Sequence, residues 1–235
     1  MSAWYPQDKK ELNELLEKYL GKVAARKPQV SWHGLIVPHA GYAFSGAIAG
    51  KAYSLLRPKK AIILSPSHYL ALEGVRTHNK DFWQTPFGKI KIIRSDFKKI
   101  DISKEHAIDN QIPFLQKLGC KEILPLLIGK VTQGEAKQIA EKIQDFDGIF
   151  IFSTDLSHFL TYDQAQKKDK QTIKAITSLD SKKLSENSAC GIFPLLILIE
   201  LCKLKNFKPK LITYKNSGDI TGDKQSVVGY SSFYF

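Results

Sequence analysis

The sequence predicts an α/β sandwich: a central, largely parallel or mixed β-sheet flanked by helices. Three observations predict it. Short apolar runs alternate along the chain with stretches of helical periodicity, the order that builds layered α/β folds. Three of those runs, Gly34 to Val37, Ala61 to Leu64 and Gly148 to Phe152, read as buried strands. No internal repeat, low-complexity tract or Pro/Gly/Ser linker divides the 235 residues, so one domain over 1–235 is the simplest reading. At 43% hydrophobic the chain can bury a substantial core.

Element by element, the N-terminal lead-in (1–30) contains an amphipathic helix over residues 7 to 20, with Leu12, Leu15, Leu16 and Tyr19 at helical spacing. It serves either core packing or an oligomer contact. After the first strand, Ala47 to Leu56 is helical and ends before Pro58. Beyond the second strand, residues 75 to 77, 82 to 85 and 89 to 94 read as short strands, the last two joined by a turn at Thr85-Pro86-Phe87-Gly88. Ile108 to Leu118 is helical, with Pro113 kinking it or sitting near its start. Glu122 to Ile128 is a strand and Glu135 to Ile143 a helix. The third buried strand is followed by helices over Asp163 to Thr177 and Ser181 to Glu186. Next comes a long apolar helix, Ile192 to Leu204, opened by Cys190, Gly191 and, in its first turn, Pro194. Strands at 210 to 215 and 226 to 234 close the chain.

Charge excludes less than it first suggests. The net charge is +12, yet only four of the 35 basic residues are arginine, and the lysines are scattered in pairs. Phosphate and base recognition favours arginine's planar fork, so no specific nucleic-acid site is expected; weak attraction to anions is the most this charge implies. Cys120, Cys190 and Cys202 are too few and too irregular for a disulfide framework. The first 20 residues are charged and helical rather than apolar, and the longest apolar stretch, Gly191 to Leu201, is too short to span a bilayer. A reduced cytoplasm is the expected compartment.

Chemistry concentrates in three segments that follow the three buried strands: Val37-Pro38-His39-Ala40-Gly41-Tyr42, Ser65-Pro66-Ser67-His68 and Ser153-Thr154-Asp155-Leu156-Ser157-His158. Ligands of open α/β sheets gather at the carboxyl ends of strands, so His39, His68 and His158 are candidates for one pocket. Neutral imidazole is the commonest metal ligand. Asp155 is close enough to His158 to hold its second ring nitrogen, or else it caps the backbone. Cys190 precedes an apparent helix start, a setting that favours the thiolate, the form that binds metal or attacks electrophiles. The alternative for Cys190 is a small buried hydrophobe, as Cys202 is on its apolar helix. Glu105-His106 stand before Asp109, Asn110 and Gln111; His106 joins the pocket, or Glu105 caps a helix. His33 and His78 have no supporting context.

These segments resemble the Memo family, called AmmeMemoRadiSam system protein B in prokaryotes. The resemblance runs from about His33 onward. It also takes in Trp83-Gln84-Thr85-Pro86-Phe87-Gly88, Glu105 to Pro113, Ala189-Cys190-Gly191, and Ser217-Gly218-Asp219 with Val227-Val228-Gly229-Tyr230. It implies a fold similar to class III extradiol dioxygenases, which use non-haem iron(II). It further implies a pocket in which His39, His68 and Cys190 bind iron or copper. His158 then stands where the dioxygenases have an acid/base, with His106 and Asp155 near the pocket. Two imidazoles and a thiolate suit copper(I), iron or zinc. Dioxygenases of the related fold carry a carboxylate where this chain has Cys190, which argues against ring cleavage. The prokaryotic family name implies association with a radical S-adenosylmethionine (radical-SAM) enzyme and an AMMECR1-like protein.

Three functions compete. The first is a metal-dependent oxidoreductase with iron(II) or copper at His39, His68 and Cys190, served by His158, Asp155 and His106. The second is a non-catalytic binding module that takes a peptide or partner protein into the pocket. The third is a metal-free enzyme in which Cys190 attacks with His158 or His68 as base.

Overall fold

The computed structural model describes residues 4–21, 32–186 and 189–235. In chain order the elements are α1 (Lys9–Leu20), β1 (Gly34–Val37), α2 (Tyr42–Tyr53), β2 (Lys60–Pro66), β3 (Val75–His78), β4 (Phe82–Thr85), β5 (Gly88–Ile92), β6 (Lys98–Ile100), α3 (His106–Asp109) and α4 (Ile112–Lys117). They continue with β7 (Glu122–Ile128), α5 (Gln133–Ile143), β8 (Ile149–Ser153), β9 (His158–Leu160), α6 (Tyr162–Thr177), α7 (Ser181–Ser185), α8 (Ile192–Lys205), β10 (Lys210–Asn216), α9 (Gly218–Thr221) and β11 (Val227–Tyr234). The part of the lead-in at 22–30 lies outside the described residues.

All the described strands belong to one mixed sheet, with the path β10-β11-β1-β8-β2-β7-β3-β6. Its centre, β1-β8-β2-β7, is parallel; β11 joins β1 antiparallel, and β3 joins β7 antiparallel. The hairpin β4–β5 attaches to β7, and β9 attaches to β11. The central strands are buried on both faces, which explains their near-continuous apolar composition. Alternate side chains divide between two cores. Ile36, Ile62, Leu126 and Phe152 pack with residues of α5 and α8. Leu35, Ile63, Leu127 and Ile151 pack on the opposite face with α1, α2 and α4. No helix among the described residues is long and apolar enough to cross a membrane.

Several elements depart from the sequence expectation. Helix α2 starts at Tyr42, not Ala47. Its N-cap Gly41 offers no side chain, and the Tyr42 amide donates to the carbonyl of the distant Trp4 instead. The expected helix over 108–118 is two short helices broken at Asn110-Gln111, with Pro113 in the first turn of the second, where its missing N–H costs nothing. Strands β6 and β9, three residues each, were not expected; β6 is two lysines and an isoleucine, too short and polar to show an alternation.

Candidate metal centre

Strands β1, β8 and β2 are consecutive and parallel, so the loops after them leave the sheet side by side. His39 follows β1, and His68 follows β2. His106 opens α3, which packs beside β2. One ligand atom from each of these three histidines lies within 4.8 Å of the others, the spacing at which a single metal ion is held. The rings of His39 and His68 meet edge to face at 5.1 Å, and those of His68 and His106 lie 4.5 Å apart.

The buried His39 is held from behind. Its Nδ1 lies 2.8 Å from Ser153 Oγ, which accepts from Gln111 Nε2 and donates its only proton to the Ala107 carbonyl. That network assigns the His39 proton to Nδ1 and leaves the Nε2 lone pair free. Nε2 faces Cys190 Sγ at 3.3 Å. His68 is the more open member, with 26% of its side chain exposed; its Nδ1 meets Glu105 Oε1 at 2.8 Å. His106 stacks under the indole of Trp4 at 4.2 Å, and its Nδ1 lies 3.0 Å from the Tyr69 hydroxyl.

Burial governs the charges here. It pushes His39 well below the ordinary imidazole range, and the neighbouring histidines push it further; His106 falls to about 4 for the same reasons. Both rings are therefore neutral near pH 7, the state that binds metal. Burial raises Asp155 to about 7, against hydrogen bonds from the amides of His39 and Ala40. The 4.0 Å approach of Asp155 Oδ2 to His39 Nε2 thus brings an unprotonated ring nitrogen to a carboxyl whose pKa burial has raised.

For Asp155 the structure follows the second of the two sequence alternatives, a main-chain contact rather than the His158 ring. Burial, followed by the nearby Asp155 carboxylate, raises the Cys190 thiol far above its ordinary value, outweighing the helix start and the Asp155 amide that donates to Sγ at 3.2 Å. Without a cation Cys190 is a thiol. Asp155 accepts from the His39 amide at 2.8 Å, while the main chain of Leu156 favours the protonated His158 ring against burial. Burial, then the nearby His68, lowers the pKa of His158, the first residue of β9, and His158 in turn helps to lower that of His39. Gly191 permits the close approach of the Cys190 turn to the Ser153–Asp155 loop: a Cβ there would lie 2.5 Å from Thr154 Cβ.

His33 and His78 lie elsewhere, stacked on Phe207 and packed against Trp83. Sequence reasoning missed Trp4 and Tyr69, each of which borders His106. Neither stands in a pattern of its own, and only the fold brings them there.

A family model described as "Memo-like protein" matches residues 2–234. Proteins named as MEMO1 family members are similar over nearly their whole length. One from Aquifex aeolicus is 32% identical, with 99% of this chain and 96% of the relative covered. One from Sulfurisphaera tokodaii is 36% identical over 92% and 88%, and one from Methanobrevibacter smithii is 34% identical over 99% and 96%.

Proposed function

We propose that this chain, which belongs to the Memo-like protein family, is a metal-dependent oxidoreductase whose centre takes iron(II) or copper, with zinc as a non-redox alternative. The observation that carries the reading is the convergence of His39, His68 and His106 within 4.8 Å, with Cys190 against His39. His39 presents a neutral imidazole and His68 a second imidazole; Cys190, once its proton has passed to solvent or to a neighbouring base as a cation binds, would offer the soft donor that suits copper(I) or iron. The bound metal supplies electron transfer to or from oxygen or a substrate. Asp155, poised near neutrality, takes or gives a proton beside His39 and Cys190. His158 offers a second neutral base at the same rim. Trp4 covers His106 and excludes water from that side.

The test is elemental analysis of protein purified without oxygen from metal-replete cells. Near-stoichiometric iron or copper in the wild type, lost in His39→Ala, is the expected result. Metal-free wild type under those conditions removes the reading.

One observation favours a second reading, a binding module. Trp4, Tyr69, Leu70 and Phe159, exposed by 42%, 52%, 45% and 77%, leave apolar surface beside the histidines. Phe159 also holds a left-handed backbone, φ 59°, which is strained for an aromatic residue. A peptide, or the radical-SAM enzyme and AMMECR1-like protein that the family association suggests, would dock there. Complexes that survive His39→Ala but not Phe159→Ser would support it. The metal-free cysteine enzyme loses ground, because the half-buried Cys190 sits against His39 with its thiol pKa raised.

A further inference from the structure

Glu105 is a buried carboxylate, 3% exposed, and the basic side chains within ion-pair distance of it among the described residues are two histidines of the centre. Burying a carboxylate is costly unless its lone pairs are filled. Here they are filled in one particular way. Oε2 accepts the His68 main-chain amide at 2.9 Å; Oε1 lies 2.8 Å from His68 Nδ1 and accepts the Ala107 amide at 3.1 Å. One side chain therefore grips residue 68 by both backbone and ring, and it grips the start of α3, where His106 stands. His106 Nδ1 is itself 3.4 Å from Oε1.

An ionised carboxylate only accepts hydrogen bonds. The proton on His68 must then sit on Nδ1, which leaves Nε2 as the only nitrogen able to take a metal. We propose that Glu105 is a positioning residue: it fixes the His68 tautomer and ties the His68 loop to α3, so that His68 and His106 are held as ligands before any metal arrives. The metal part of this inference rests on the reading above; the tautomer part does not.

Glu105→Gln tests it. An amide has one acceptor oxygen for two main-chain donors; with that oxygen on the His68 amide it presents N–H to His68 Nδ1, which drives the proton to Nε2 and blocks the ligand atom. Long-range 1H–15N NMR of the metal-free protein above neutral pH reads the tautomer directly, with His68 assigned by its loss in His68→Gln. The expected result is Nδ1–H in wild type and Nε2–H in Glu105→Gln. Zinc(II) affinity by calorimetry should be roughly 10–100-fold weaker in the variant, with an unchanged far-UV circular dichroism spectrum. Glu105→Asp, which keeps the charge, should retain Nδ1–H and lose less affinity; it serves if the glutamine variant does not fold. An Nε2–H His68 in wild type, or a tautomer that ignores Glu105→Gln, overturns the proposal. Wild type that binds no zinc, iron or copper defeats the metal reading, while the tautomer result still decides the role of Glu105.

Discussion

At the scale of single residues, the site holds titratable groups, His39, His106 and Asp155 among them, whose ordinary pKa values burial has shifted. His106 shows the consequence for stability. Its folded-state pKa, about 4, lies below the unfolded value near 6.5. Above that window it is neutral in both states. As pH falls through it, the unfolded chain takes up a proton that the folded chain resists, so the contribution of His106 to stability is lost on acidification. His106→Gln has no such proton to take up. Relative to wild type it should gain roughly 1–2 kcal/mol as pH falls from about 6.5 to about 4, a figure discounted from the full shift for the ring's partial solvation. Urea unfolding of the two metal-free proteins across that range checks this; stability curves that stay parallel would show that the ring is not shifted. The residue types at the centre were legible in the sequence: His39, His68, His106, Asp155, His158 and Cys190 all stand in it or at its edge. Their pairing was not. Asp155, just after β8, reaches the His39 amide just after the adjacent β1, and no spacing along the chain encodes that.

At the scale of elements, the N-terminal helix is core packing. Leu12, Leu16 and Leu20 of α1 are buried in the same core as Ala49 and Tyr53 of α2. The helices approach so closely that a Cβ on Gly50 would meet the Tyr19 carbonyl oxygen at 2.5 Å. That oxygen is backbone and cannot rotate away. Gly50→Ala should therefore destabilise the protein by about 1–3 kcal/mol as an overpacking change, even though alanine is the better helix former by about 1 kcal/mol. A thermal scan showing a melting temperature equal to or above wild type would contradict the close packing. Periodicity made α1, α5, α6 and α8 legible because each carries a long repeating pattern. The start of α2 was hidden because Trp4 supplies its cap through tertiary structure, and β9 because it is a three-residue strand that exists only through its pairing with β11.

At the scale of the whole molecule, the fold decides which of these residues meet. Strand order β1-β8-β2 in parallel register sets three loops on one edge, beside α3 and the start of α8, so a metal held there would draw its ligands from among positions 39, 68, 106 and 190, far apart in sequence. The unfolded chain holds no such arrangement. A metal that binds the folded state alone must therefore stabilise the entire molecule, not only the loops that touch it. At a free metal concentration about 100 times its dissociation constant, the linkage contributes roughly 2.7 kcal/mol. For a chain of this length that raises the melting temperature by roughly 5–10 °C, taking about 2–4 °C per kcal/mol. Calorimetric scans with and without zinc(II), repeated on His39→Ala, separate this effect from non-specific binding to surface carboxylates. The shift should vanish in the variant. An equal shift in both proteins would mean that the metal sits elsewhere, and that the convergence of strand ends serves the pocket's shape rather than a bound ion.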